Sequence, residues 1–151
     1  MPKAIIVYDT RTGSTEMMAR AVEEGMKEAG IQVLLKRATQ AKAQDLKDAD
    51  AVVLGSPTYH GDPMSSMKTF LFEMEKANLR GKVGAAFGSY GWSAESVPRM
   101  NDTMKHVFGM NVVEPGLNLS RRPSESNLNQ CKDFGRKIAE RIAQSRKQAS
   151  G

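Results

Sequence analysis

Apolar residues recur along this chain in two alternating rhythms. Ala4-Ile5-Ile6-Val7-Tyr8 is a short continuous run rich in β-branched residues, as a buried strand requires. Met18, Ala21, Val22, Gly25, Met26 and Ala29 then fall at helical spacing, and Gly30 is placed to end that helix. Ile31 to Ala38 reads as the second strand, where Lys36 and Arg37 suggest a position towards one edge. Ala41 to Ala49 reads as a short polar helix, and Ala51-Val52-Val53-Leu54-Gly55 as the third strand. Met64, Met67, Phe70, Leu71 and Met74 mark one face of the next helix, most simply as core filling. Val83 to Gly88 forms the fourth strand, and a helix is expected from Ala94 to Phe108. Pro98 must kink that helix or mark a late start. Asn111 to Leu119 holds the fifth strand, and Leu128, Cys131, Gly135, Ile138 and Ile142 are the buried stripe of a last helix.

Strand and helix thus alternate five times, which predicts an α/β fold with a parallel sheet covered by helices on both faces. In a five-stranded sheet of order 2-1-3-4-5, the direction of winding reverses between strands one and three. Ligands bind at that reversal, outside the carboxyl ends of the strands. The loops that follow strands one, three and four would meet there.

Length, composition and charge narrow the class. With 151 residues, 40% apolar and 26% charged, the chain is expected to be one globular domain spanning 1–151. No apolar run approaches a membrane span, and Cys131 stands alone, so a cytoplasmic protein without an internal disulfide is expected. Residues 1–120 carry 14 basic and 14 acidic side chains, so the net charge of +5 lies wholly in residues 121–151. A solvated last helix accounts for that excess, with a basic tail over 143–151 expected to fray.

The three loops carry the chemistry. Asp9-Thr10-Arg11-Thr12-Gly13-Ser14-Thr15 joins the first strand to the first helix and offers hydroxyls, a permissive glycine and the unpaired N–H groups of a helix start. That is a seat for a phosphate. Neither the Walker loop nor the dinucleotide glycine pattern occurs, and a hydroxyl-rich turn suits a terminal phosphate monoester. The second loop, Ser56-Pro57-Thr58-Tyr59-His60-Gly61-Asp62-Pro63, and the third, Ser89-Tyr90-Gly91-Trp92-Ser93, carry Tyr59, Tyr90 and Trp92. Such aromatics make stacking plates for a flat ring. Phosphate at one end and a planar heterocycle at the other describe a mononucleotide-like cofactor. His60 reads as a solvated loop residue, His106 lacks partners at ligand spacing, and no metal site is expected.

These motifs resemble the flavodoxins, and most closely the flavodoxin-like domain of flavodiiron proteins. Thr10-Arg11-Thr12-Gly13-Ser14-Thr15 is similar to the family's phosphate loop, while Gly55-Ser56-Pro57-Thr58-Tyr59 and Gly88-Ser89-Tyr90-Gly91-Trp92 resemble the flavodiiron branch. The resemblance implies a flavodoxin-like three-layer sandwich binding FMN. Thr10 to Thr15 would hold the phosphate, and Ser56, Pro57, Thr58, Tyr59, His60 and Gly61 would flank the N5 side of the flavin. Ser89, Tyr90, Gly91 and Trp92 would cover the other side, with Trp92 as the stacked ring. In the family a peptide beside N5 turns to meet the semiquinone, and Gly61 has the freedom for that. Many flavodoxins are strongly acidic, whereas here only Asp62 and Glu95 are sequence-near acids on the later loops and Arg11 sits in the phosphate loop, so a less negative potential for the second electron is expected.

The implied function is electron transfer, cycling FMN between oxidised, semiquinone and hydroquinone states for redox protein partners. The basic tail with Arg121 and Arg122 would favour an acidic partner, and a di-iron oxidoreductase subunit would also fit. A nicotinamide-dependent quinone or flavin reductase, or a split-off electron-donor domain of a flavodiiron oxygen or nitric oxide reductase, are the alternatives. A phospho-accepting receiver needs an aspartate after strand three, where Gly55-Ser56-Pro57 stands. A serine hydrolase lacks its Gly-x-Ser-x-Gly elbow, and a nucleic-acid binder would leave the three loops unexplained.

Overall fold

The computed structural model describes residues 2–150. Strand β1 (Lys3–Tyr8) lies between β2 (Gln32–Arg37) and β3 (Ala51–Gly55), running parallel to both. Two short segments, β4 (Thr58–Tyr59) and β5 (Asp62–Pro63), form a separate antiparallel pair. β6 (Val83–Tyr90) continues the main sheet beside β3, and β7 (Asn111–Val112) and β8 (Leu117–Ser120) both lie along its far side. The order β2-β1-β3-β6-β7 is the expected 2-1-3-4-5 winding.

Side-chain alternation along β1 divides the core into two layers. Ile6 and Tyr8 face helices α1 (Ser14–Glu28) and α4 (Glu125–Ser150), packing with Met18, Val22, Phe134 and Ile138. Ile5 and Val7 face α2 (Ser65–Met74) and α3 (Ser96–Asp102), packing with Met67, Phe70, Val97 and Met100. Of the expected stripe, Met67, Phe70 and Met74 are core and Leu71 packs against it, whereas Met64 is only half-buried at the start of α2. Cys131 is fully buried in the first layer, and desolvation pushes its thiol up to about 12, which leaves it inert.

Four local departures from the expected elements have physical causes. The polar helix over Ala41 to Ala49 is only a 3-10 turn, Ala43–Leu46. Lys82 Nζ donates to the carbonyls of Leu46, Lys47 and Ala49 at 2.7–2.9 Å, taking acceptors that a longer helix would need. The helix expected from Ala94 starts at Ser96, which puts Pro98 in the first turn where no N–H is missed. It then loosens into a π-helical turn, Thr103–Val107. The fifth strand is split into β7 and β8 by residues 113–116; Gly116, at φ 90°, leaves room that a Cβ would take 2.7 Å from the Ala86 carbonyl. Finally, the second loop is itself a hairpin. His60 and Gly61, at φ 51° and 78°, form the two-residue turn between β4 and β5 that favours positive φ at both positions.

α4 crosses α1 at close range. A Cβ on Gly25 would fall far inside contact distance of the Lys132 carbonyl, and one on Gly135 would meet the Val22 carbonyl equally closely. The basic segment 143–151 belongs to α4 as far as Ser150, and Gly151 lies outside the described residues.

Replacing Gly25 by alanine should therefore destabilise the protein by about 2 kcal/mol or more, despite alanine's intrinsic helix advantage of roughly 1 kcal/mol. Urea unfolding of Gly25→Ala, beside the exposed-helix variant Glu140→Ala as a reference, measures the difference. A stabilised Gly25→Ala would show that the helices have room to separate.

Candidate functional site

The carboxyl ends of β1, β3 and β6 open on a cavity of about 440 Å³. Its wall contains nine of the residues singled out from the sequence: Arg11, Thr12 and Ser14 from the first loop; Pro57, Thr58 and Tyr59 from the second; Ser89, Tyr90 and Gly91 from the third. The rule that places ligands at the sheet's reversal thus brings together three segments distant in sequence.

The first loop ends at Gly13, which caps α1 with φ 96° and no side-chain hydrogen bond to the helix. The first N–H groups of α1 have no intrahelical acceptors and no capping side chain, which is the condition for receiving an anion. Thr10 Oγ1 accepts the Gly13 N–H at 3.0 Å, so this hydroxyl shapes the loop. Thr15 is buried, and its hydroxyl lies 3.0 Å from that of Ser89, joining the first loop to the third. Thr10, Gly13 and Thr15 form the frame of the seat, whereas Thr12 and Ser14 face the cavity.

Beneath this loop lies an anchor that the sequence did not disclose. Asp9 is 4% exposed, and its N–H donates to the Gly55 carbonyl at 3.0 Å, tying the end of β1 to that of β3. Its carboxylate accepts Arg37 Nη2 at 2.6 Å and Arg37 Nε at 3.1 Å, together with the Ser66 hydroxyl and the Thr10 N–H. Burial alone would raise this carboxyl's pKa. The hydrogen bonds from Ser66, Thr10 and Arg37, with the Arg37 charge, outweigh it and hold the group below the usual carboxylate range.

The second loop is latched from α3. Ser96 N–H donates to Thr58 Oγ1 at 3.0 Å, and the Ser96 hydroxyl donates to the Ser56 carbonyl at 3.1 Å. Ser56 is fully buried behind the cavity, where its hydroxyl accepts the Met64 N–H at 2.9 Å. Arg99 Nε donates to the Gly61 carbonyl at 2.7 Å, securing the hairpin tip. His60 is exposed and packs edge-on against Tyr59 at 4.8 Å, outside the wall of the cavity. Tyr59 in turn carries the Arg11 guanidinium over its ring, 4.5 Å from the centroid. Trp92 stands 98% exposed on the third loop and does not line the cavity in this conformation.

Arg121 and Arg122, expected only to favour an acidic partner, complete the wall of the cavity. β8 runs beside the last residues of β6, and the Arg121 N–H donates to the Tyr90 carbonyl at 2.7 Å. The same carboxyl-end rule, applied to the loop after the fifth strand, would have found them. The wall contains three guanidinium groups and no carboxylate. Asp62 is held outside by Lys68 at 3.4 Å and Arg99 at 3.5 Å. Among the described residues no cluster of His, Cys, Asp or Glu could hold a metal ion, and His106 is exposed on the π-helical turn.

Because the folded-state pKa of Asp9 is lowered, its contribution to stability is full above about pH 4 and is lost as the pH falls through the lowered value. Asp9→Asn should cost about 1–3 kcal/mol at neutral pH, and the difference from the parent should shrink on acidification. Urea titrations of both proteins from neutral pH down to about pH 2 test this. A gap that stays constant throughout would assign the effect to hydrogen-bond geometry instead of charge.

Known proteins give this arrangement a family. The flavodoxin family model matches residues 6–135. Over 145 residues the chain is 35% identical to a nitric oxide reductase of Moorella thermoacetica, covering 93% of this chain and 36% of that protein. It is 34% identical to the type A flavoprotein of Rhodobacter capsulatus over 143 residues, which is 91% of this chain and 33% of the relative. The chain thus spans about a third of the length of these curated relatives. Among solved structures, a flavodoxin from the domain Archaea superposes with a TM-score of 0.89 at 36% identity, covering 93% of this chain and 99% of that one. The flavodiiron protein from Giardia intestinalis superposes with the same score at 26% identity, covering 97% of this chain and 37% of that one. With a shared fold, a matching family model and loops that converge as that fold requires, the chain belongs to the flavodoxin family of flavin-binding electron-transfer domains.

Proposed function

We propose that this chain is a single domain that binds FMN in the 440 Å³ cavity and carries electrons between redox proteins. The observation that carries the reading is the uncapped start of α1 at Gly13, opening beside Thr12, Ser14 and Arg11 on a cavity walled by two tyrosines. These residues fit the group: N–H donors, hydroxyls and a guanidinium suit a phosphate, and Tyr59 and Tyr90 suit a planar ring. Bound flavin supplies one- and two-electron chemistry, while the protein supplies position, exclusion of water and electrostatics.

In this reading the α1 N–H groups, Thr12, Ser14 and Arg11 hold the phosphate, inside the frame set by Thr10, Gly13 and Thr15. Ser56 to Gly61 and Ser89 to Gly91 flank the ring from opposite loops. Trp92, free in solution, has the reach of an exposed loop residue to fold over it. His60 and Gly61 shape the hairpin tip. The absence of carboxylates from the cavity wall supports a less negative potential for the second electron than in acidic flavodoxins. A cytoplasmic location, where the lone Cys131 stays reduced, belongs to the same proposal. No helix among the described residues is long and apolar enough to cross a membrane.

The second reading, an electron-donor module for a di-iron oxidoreductase, is favoured by relatives that match the chain over only about a third of their length. Both readings share the FMN site and differ in the acceptor: a redox protein, acidic in the first case, or a di-iron subunit in the second.

The purified protein should show a two-band flavin spectrum and release FMN on denaturation. FMN should bind at least about a hundredfold tighter than riboflavin, equivalent to about 2.8 kcal/mol. Thr12→Ala and Ser14→Ala should weaken FMN and leave riboflavin unchanged. Equal affinity for the two flavins would remove the phosphate seat. Rapid bleaching by NADH or NADPH alone would make the protein a reductase.

A further inference from the structure

The sequence puts all the excess positive charge in residues 121–151, and the structure divides that charge unevenly. On α4, Lys132 pairs with Glu24 at 3.3 Å, Arg136 with Glu28 at 2.7 Å and Arg146 with Asp50 at 3.3 Å. Arg141 donates to Asn111 Oδ1 at 2.8 Å and to the Val112 carbonyl at 3.1 Å. Most of the helical tail is therefore occupied in holding α4 to the sheet and α1. Arg121 and Arg122 are different. Both are exposed, both line the cavity, and among the described residues neither side chain has a carboxylate partner. Arg11, on the first loop, is also exposed, but it lies over the face of Tyr59 and belongs to the proposed phosphate seat.

We propose that Arg121 and Arg122, together with the exposed rings of Tyr59 and Trp92, form the docking rim for a small acidic one-electron protein. The proposal deepens the electron-transfer reading and rests on it for the cavity's role, while its charge argument stands on the rim alone. Two guanidinium groups without carboxylate partners at one opening raise the local potential, steer an acidic surface towards it and speed encounter at low salt. Trp92 at 98% exposure and Tyr59 at 41% supply the aromatic contact that interface centres favour. Of the acids on the second and third loops, Asp62 is paired with Lys68 and Arg99 and Glu95 lies outside the cavity wall, as does Glu125 in the first turn of α4. Such a rim orients the partner over the cavity mouth, so that docking and electron transfer share one geometry.

The test uses an acidic plant-type ferredoxin and basic cytochrome c as probes. Binding of each to the purified protein is measured calorimetrically, with and without added FMN. Electron transfer from reduced ferredoxin to the oxidised, FMN-loaded protein is followed by stopped flow at about 20 mM and about 200 mM salt, on either side of strong screening. Ferredoxin should be favoured, and its binding and its rate should fall with salt. Arg121→Glu with Arg122→Glu should reduce both about tenfold or more, measured at saturating FMN because both residues line the cavity. Arg122→Glu alone should give a smaller loss of the same kind. The control, Arg80→Glu with Lys137→Glu, makes the same change in net charge away from the cavity and should leave ferredoxin binding unchanged. A preference for cytochrome c, salt-independent binding of ferredoxin, or an equal loss in the control would overturn the docking rim. A tenfold loss of FMN in the double variant would assign the arginines to the cofactor instead. If no FMN binds at all, the flavin reading fails, and the calorimetric arm with ferredoxin still decides the rim.

Discussion

The Asp9 carboxylate is the point where three separate parts of the chain are made to agree. Its own N–H joins β1 to β3, its oxygens collect Arg37 from the end of β2 and Ser66 from the start of α2, and one oxygen also takes the N–H of Thr10. A buried carboxylate demands such company, because an unpaired charge at that depth would be costly to desolvate. The demand sets the direction in which the chain leaves β1, and with it the position of Gly13 and the start of α1. The mouth of the cavity inherits its shape from this requirement. Thr15 and Ser89 repeat the logic on a smaller scale, with one buried hydroxyl contact joining the first loop to the third.

The two sides of the cavity are held by different means. The first loop is secured from below by charge and hydrogen bonds, and the second from the side by α3, through Ser96 and Arg99. The hairpin tip at His60 and Gly61 therefore moves with α3, whose first turn can accept Pro98 without losing a hydrogen bond. The third loop has no such clamp on Trp92, whose ring stands in solvent. Rigidity on two sides with freedom on the third suits a site that must admit a large flat molecule and then cover it.

Much of this was legible in the sequence because the signals were local. The apolar runs marked the strands and their alternation with helices, and the hydroxyl-rich turn after β1 marked the cavity's first wall. What escaped notice was non-local or depended on competition between groups. Arg37 read as an edge-strand cation because its partner, Asp9, lies 28 residues earlier. The segment over Ala41 to Ala49 read as a helix because nothing in its own pattern shows that Lys82 captures its carbonyls. The hairpin inside the second loop was hidden by His60, a residue that seldom adopts positive φ outside such a turn. Arg121 and Arg122 read as part of a basic tail, whereas β8 aligns them with the end of β6.

The division of the fifth strand has an effect beyond the cavity. A sheet edge offers unpaired backbone groups that invite a strand from another molecule, and long flat edges are where aggregation begins. Here one rim of the sheet is β2, carrying Lys36 and Arg37 at its end. The opposite rim is broken into β7 and β8, two and four residues long, with Val113 to Gly116 between them. An incoming chain would meet charge on one side and an interrupted ladder on the other. The bend that brings Arg121 to the cavity also leaves the sheet a poor template for growth into a fibre.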